Sequence, residues 1–298
     1  TGTLNGIWIR GTSHRVTIKD IFIKEIPSDI ERGYHAGDGI YFGKSKEGKF
    51  PHDVLVTGCY FENNIRNQIS ITGGQHIRIV GCSFANGRNS GVDLEPNTLN
   101  GDIEDITIVG NSFNNTKNGV DITKAAHAVT ISGNTMRCLL TFAADTAGVR
   151  MGPTAHDVVV TGNSIYGAEH GVKMNGKNAV TTGNRIYTSA RGLWVEGYGH
   201  VVTGNLVEGA TEVGLYVDGE GVNVSNNTLY NCISEEHANP KYRSVVFVRN
   251  HPNGVLSGNM VREDRPNPPA VRAITLPTGR DFESTWKVSN NHAANVKE

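Results

Sequence analysis

Apolar and polar residues alternate along most of this chain, and one phrase interrupts the alternation at intervals: apolar-x-apolar-x-Gly-Asn-x-apolar. It reads Ile106-Thr107-Ile108-Val109-Gly110-Asn111, Val129-Thr130-Ile131-Ser132-Gly133-Asn134 and Val158-Val159-Val160-Thr161-Gly162-Asn163. Shortened copies are Thr182-Gly183-Asn184 and Thr203-Gly204-Asn205, and degenerate ones end at Cys59, Cys82, Asn227, Asn259 and Asn291. From Cys59 onward the markers lie 23, 29, 23, 29, 21, 21, 22, 32 and 32 residues apart. A stable minimum with a variable excess predicts a coil of fixed size carrying loops of different length. Period-two alternation sends every other side chain inward. Segments rich in Val, Ile and Thr, closed by Gly and Asn, read as strands and turns. No stretch keeps a helical period. Stacking such coils buries a continuous core that one repeat cannot bury alone. The pattern predicts an all-β parallel solenoid of about ten coils, occupying residues 1–298 as one domain.

The recurring Asn is structural on two counts. It tolerates a left-handed turn, and stacked amides can hydrogen-bond along the axis as a ladder. The single register of the Gly-Asn pair favours the ladder.

Aligning coils on the marker aligns their other strand. Its core reads Ile7-Trp8-Ile9, Ile40-Tyr41-Phe42, Ile69-Ser70-Ile71, Val92-Asp93-Leu94, Val120-Asp121-Ile122 and Val149-Arg150-Met151. It continues as Val172-Lys173-Met174, Leu193-Trp194-Val195, Leu215-Tyr216-Val217 and Val246-Phe247-Val248. Both flanks are apolar in every copy and point inward, so the middle residue points outward. The resulting column places aromatics at both ends and a block of opposite charges between them. Two residues on, a second outward column holds Glu95, Glu196 and Asp218. A glycine precedes most of these strands (Gly39, Gly91, Gly119, Gly148, Gly171, Gly192, Gly214) and predicts an open strip where a ligand meets backbone. Long insertions at 24–37, 137–147 and 231–243 before the strand, and at 44–51 and 96–102 after it, would wall the face into a groove.

Composition narrows the function. With a net charge of −1, nothing suggests nonspecific nucleic-acid binding. No apolar run approaches a membrane span. The chain opens directly on a coil at Gly6-Ile7-Trp8-Ile9, with no initiator Met, signal peptide or capping helix, and reads as a trimmed portion of something longer. Cys59 and Cys82 share a register on adjacent coils, which predicts stacked buried thiols rather than a bond. His52, His76, His127, His156 and His200 recur at one turn register and read as stacking features, whereas His35 and His170 enter the groove strand as possible acid–base partners.

With these repeats, the sequence resembles the right-handed parallel β-helix proteins typified by pectate lyases, a group that includes phage tailspikes, alginate lyases and epimerases. The likeness runs from about Gly6 to Asn291. It implies right-handedness, in line with the handedness of parallel crossovers. It also implies an extracellular or virion-associated enzyme that cleaves an acidic polysaccharide, and for a tailspike a homotrimer. Gly91-Val92-Asp93-Leu94-Glu95-Pro96-Asn97 resembles segments of phage and bacterial β-helices.

Two mechanisms suit the column. Asp93 and Asp121 should stand about 5 Å apart on neighbouring coils, where carboxylates repel and one pKa rises. In a β-elimination, the reading the sequence leans towards, Asp93, Glu95 and Asp121 would hold Ca²⁺. Lys173 or Arg150 would then remove a proton or stabilise the enolate. In a glycoside hydrolysis a carboxylate pair suffices, and a separation near 5 Å suits retention. Glu196 and Asp218 form a rival pair beside Trp194 and Tyr216, which with Tyr41 would bind sugar. C5-epimerisation and non-catalytic glycan binding remain as further readings, as does a subunit seam along the aromatics.

Overall fold

Each repeat becomes one coil of three short parallel strands, and the coils stack into three sheets of eleven strands. The computed structural model describes residues 4–27, 37–97, 102–138, 145–187, 189–233, 244–249, 253–266, 272–276 and 286–296. His35 and most of the predicted long insertions lie outside these residues. Among the described residues there is no helix. Coils 1 to 11 are numbered by their first strands, which form the front sheet: Leu4–Arg10, Gly37–Gly43, Ile69–Ile71, Ser90–Leu94, Asn118–Ile122, Ala147–Met151, His170–Met174, Arg191–Tyr198, Val213–Glu220, Ser244–Val248 and Arg272–Thr275. The alternation finds ten of the eleven. Coil 11 escapes it because Arg272-Ala273-Ile274-Thr275 offers one strong apolar residue.

The core is a set of stacked columns. Front-sheet flanks such as Val92, Leu94, Val120 and Ile122 are fully buried. They meet Phe61, Phe84 and Phe113 of the third sheet, whose rings stack at 5.0 and 4.7 Å. Burying each such side chain contributes about 1.5–3 kcal/mol, so the stack is held mainly by apolar contact between rungs.

The asparagines form a ladder. Asn111, Asn134, Asn163, Asn184, Asn205, Asn227, Asn259 and Asn291 are joined by seven amide-to-amide bonds of 2.9–3.0 Å. Each Oδ1 also accepts the backbone N–H of the preceding rung. The left-handed turn belongs to the residue before, as at Gly133 (φ 62°), Gly162 (φ 63°) and Asn226 (φ 56°). The ladder asparagine therefore serves its amide, not a left-handed backbone. Cys82 continues the row and donates its N–H to Asn111. All four cysteines are buried and free.

The glycine row does not form an open strip. The chain bends there from the third sheet into the front sheet, turning the missing Cβ onto the core. A Cβ at Gly91 would meet Phe113 at 2.3 Å, one at Gly148 Ile165 at 2.5 Å and one at Gly192 Val207 at 2.4 Å. These glycines let the corner close; they do not admit a ligand.

Candidate functional site

The predicted column exists in register. Trp8 pairs with Tyr41, Tyr41 with Ser70, Ser70 with Asp93, Asp93 with Asp121 and Asp121 with Arg150. Lys173, Trp194, Tyr216 and Phe247 follow. Its exposure differs from the expectation. Trp8 is 51% exposed, but Asp93 is 3%, Asp121 2% and Tyr216 4% exposed. Polar side chains pair with the acids, and Trp194 and Phe247 stack on Tyr216, leaving little of Asp93, Asp121 and Tyr216 to solvent.

At the acid end the partners come from irregular segments. Asn67 donates Nδ2 to Asp93 Oδ2 at 2.9 Å, and its backbone N–H donates to Asp38 at 3.0 Å. Arg66 bridges Asp38, at 3.0 Å, and Glu95. Ser70 donates its hydroxyl to Glu95 at 2.9 Å. Burial pushes Asp38 up to about 6 against the opposing pull of Arg66. Asp93 is pushed up to about 8, first by burial and then by the charges of Glu95 and Asp121. Its Oδ1 is buried with no hydrogen-bond partner. Asp93 is thus a neutral acid at pH 7, one oxygen uncommitted.

Asp121 is held differently. Arg150 grips both its oxygens, with Nε to Oδ1 at 2.8 Å, and Asn118 donates at 3.2 Å. These bonds push the Arg150 guanidinium further above its ordinary value. Arg150 is thus committed to two carboxylates, which disfavours the proton-abstracting role the sequence allowed it. Asp145, which sequence reasoning missed, joins Arg150 at 2.8 Å to Lys173 at 2.7 Å. Burial would raise its pKa, but Lys173 and Arg150 hold it below the usual carboxylate range. A cavity of about 200 Å³ opens beside the two cations, lined by Thr123, Arg150, Gly152, Pro153, Lys173 and Asn175. Arg150 and Lys173 are charge-balanced by Asp121 and Asp145, but their N–H groups, with a hydroxyl and an amide, still offer donors to a carboxylate or other acceptor.

His170 is buried beside this group. Burial, then the charges of Lys173 and Arg191, push it down to about 3, so it is neutral, and its Nδ1 lacks a hydrogen-bond partner. Arg191 reaches its Nε2 at 3.1 Å and also Glu212 at 2.7 Å. The signal for Asn118, His170 and Arg191 was present: they share one register three residues ahead of the main column.

The aromatic end is a stack. Trp194 and Tyr216 lie face to face at 3.8 Å, Phe247 follows at 5.9 Å, and the Arg191 guanidinium lies 4.9 Å from the Trp194 ring. These rings cover one another's faces, so they present edges to the groove. Tyr41 stands edge-on to Trp8 at 6.1 Å, and Thr72 donates to its hydroxyl at 3.0 Å. Glu196 and Asp218 are in register, but Asp218 is bound by Arg249 at 2.8 Å and by the Tyr216 hydroxyl at 3.1 Å. The turn histidines pair with acids, His52 with Asp53 at 2.8 Å and His156 with Asp157 at 2.8 Å, and His127 stacks on His156 at 5.0 Å.

Calcium does not fit the three predicted ligands. Asp93 is bonded to an amide, Glu95 faces Arg66, and Asp121 faces Arg150. Hard cations require free anionic oxygens. Among the described residues no three His, Cys, Asp or Glu side chains are placed to hold a metal ion.

The family described as right handed beta helix region matches residues 3–137. The family described as periplasmic copper-binding protein (NosD) matches 104–243. No curated protein sequence matches the chain. Among solved structures, the chain is similar to the Azotobacter vinelandii mannuronan C-5 epimerase AlgE6 A-module at 13% identity, covering 97% of this chain and 81% of that one, with a TM-score of 0.67. It is similar to a mutant tailspike protein of E. coli bacteriophage HK620, solved with a pentasaccharide, at 14% identity, covering 98% and 57%, with a TM-score of 0.53. A third is PfbA, a surface adhesin of Streptococcus pneumoniae, at 14% identity, covering 96% and 70%, with a TM-score of 0.56. The chain spans about three fifths of the tailspike chains it resembles. These likenesses establish the fold: the chain is a right-handed parallel β-helix.

Proposed function

We propose that this right-handed β-helix is the glycan-processing body of an extracellular or virion-associated polysaccharide depolymerase. The observation that carries the reading is a neutral carboxyl, Asp93, in register with an arginine-held carboxylate, Asp121. A carboxyl kept protonated beside a second acid is one way proteins divide acid and base roles. The cavity at Arg150 and Lys173 seats the carboxylate of an acidic sugar. Asp93 gives its proton to the leaving glycosidic oxygen. Asp121, one strand spacing away at about 4.8 Å, acts on the anomeric carbon, and water completes the hydrolysis. Asp93 meets the sugar once the ion-paired side chains beside it part. Tyr41, Trp194 and Tyr216 border the groove, and Glu95 holds Arg66 in place.

Elimination is the second reading, favoured by the same cation pair, which would stabilise an enolate next to the bound carboxylate. Its weakness is the base: Arg150 is committed to two carboxylates and Lys173 is bonded to Asp145. The epimerase AlgE6 and the adhesin PfbA, both similar in fold, supply the remaining alternatives, epimerisation and binding alone. A homotrimer, as in tailspikes, belongs to the proposal and is read by light scattering.

The deciding experiment is mass analysis of products from a panel of acidic capsules and exopolysaccharides, with and without chelator. Hydrolysis gives new reducing ends at full mass with water added. Elimination gives the ultraviolet absorbance of an unsaturated uronate instead. Absence of any product across the panel ends the depolymerase reading.

A further inference from the structure

The outer face of the third sheet carries a second mixed column: Arg137, Tyr166, Tyr187, Glu208, Tyr230 and Arg262, in register on coils 5 to 10. Tyr166 and Tyr187 stack at 5.0 Å and 11°, which covers the coil 6 side of Tyr187. On its coil 8 side the next rung is Glu208, not a ring. The Arg185 guanidinium lies over the ring, 5.9 Å from its centroid, and among the described residues is the one cation placed on it. Glu208 is half-buried and has no hydrogen bond or ion pair among the described residues. A cavity of about 300 Å³ opens beside them, lined by Tyr187, Glu208, Thr211, Asn231, Ile233 and Arg265. Its rim is braced, because Arg265 is bound to Glu263 and to the carbonyls of Cys232 and Ile233 at 3.2 and 2.8 Å.

We propose that this cavity is a second saccharide-binding site, on a different sheet from the front groove, and that it takes a neutral pyranose unit. The Tyr187 face away from Tyr166 meets no other ring among the described residues and can take the C–H face of a sugar ring in place of the guanidinium. An uncommitted carboxylate within reach of that face accepts two neighbouring sugar hydroxyls. The Thr211 hydroxyl adds a polar contact, and Ile233 supplies the apolar wall. A small concave site of a few convergent polar groups on an apolar lining is what ligand pockets share. The contrast with Tyr216 is physical: a ring stacks on each of its faces, Trp194 at 3.8 Å and Phe247 at 5.9 Å, whereas Tyr187 stacks on one ring only. The rim guanidinium spends its N–H groups on Glu263 and two carbonyls, and the Glu208 carboxylate, unpaired among the described residues, would repel an acidic sugar.

The test titrates maltohexaose, cellohexaose, a β-1,4-galactan hexaose and the hexamer of N-acetylglucosamine into the full chain and its Asp93→Asn variant, with binding read by calorimetry. At least one probe should bind both forms equally. Tyr187→Ala should weaken it about tenfold, Tyr187→Phe should restore it, and Glu208→Gln should weaken it about fivefold. Three results overturn the proposal: no probe binds, Tyr187→Ala binds as tightly as the parent, or Tyr187→Phe is as weak as Tyr187→Ala. Binding lost in Asp93→Asn places the probe in the front groove and overturns it as well. None of these outcomes depends on whether the front groove cleaves an acidic glycan.

Discussion

Two rows of side chains run along the solenoid at one residue per coil, and they behave in opposite ways. The asparagine row repeats one residue over eight coils, and each amide joins the next at 2.9–3.0 Å. The front row changes from ring to acid to cation to ring. Its neighbourhood leaves Asp93 Oδ1, His170 Nδ1 and Trp194 Nε1 buried without hydrogen-bond partners. A uniform row settles every rung in the same minimum. A varied row tolerates buried charge, displaced pKa values and orphan atoms that cost stability. In a repeat protein the departures from the repeat therefore mark where chemistry is expected, and the repeat itself marks what holds the stack.

That contrast breaks most visibly at Asp93. Asp93→Asn should lower depolymerisation about 10²–10⁴-fold, the usual range for a lost general acid, with an unchanged circular dichroism spectrum. Full activity in this variant would leave the front row as ornament. The ladder should respond the other way. Asn163→Ala deprives Asn134 of two bonds, those from its N–H and its Nδ2, and should cost about 3 kcal/mol in urea unfolding. Its activity per folded molecule should match the parent.

Lys173→Met sharpens the comparison within the front row. Losing one cation of the anion cavity should raise KM for an acidic substrate about tenfold while kcat moves less. The pH dependence of stability tests the Asp93 assignment. Its carboxyl lies at about 8 in the fold against an ordinary 3.8. Its contribution is fully present below the ordinary value and is lost as pH rises through about 8. Relative to the parent, Asp93→Asn should gain in urea midpoint as pH is raised from about 5 to about 9. The smallest effect is expected at Ala128, an exposed residue that holds φ 52° within the strand Ala126–Ser132, away from both rows. Ala128→Gly should stabilise by about 1 kcal/mol, because a side chain is disfavoured in that conformation.

The two rows also differ in how much of them the sequence discloses. The ladder, the front register from Trp8 to Phe247 and the unbonded pair Cys59 and Cys82 all follow from periodicity, because each depends on the residue's own place in the coil. The occupancy of the front face does not. Asp93 and Asp121 alternate outward as expected, yet Arg66, Asn67 and Asp145 pair with the charged column from irregular segments that carry no period. The glycine row misleads for a related reason. Alternation assumes a straight strand, and at Gly91 or Gly148 the chain is turning a corner, so the Cβ direction swings onto Phe113 or Ile165. Aromatic faces are equally illegible: Trp194 and Tyr216 one rung apart must stack, and only coordinates show that nothing is left between them.

Between Asn163 and Asn205 the chain spends only 21 residues per turn of the solenoid. Nothing in those two turns is spare, and each touches mainly its predecessor and successor. Duplicating or deleting one such block would lengthen or shorten the molecule by a single step of about 4.8 Å, sliding Phe247 and its neighbours along relative to the carboxyl pair. The reach of the binding face is thus quantised like the divisions of a ruler, and a lineage could retune it to a longer or shorter sugar repeat without altering a single interior contact type.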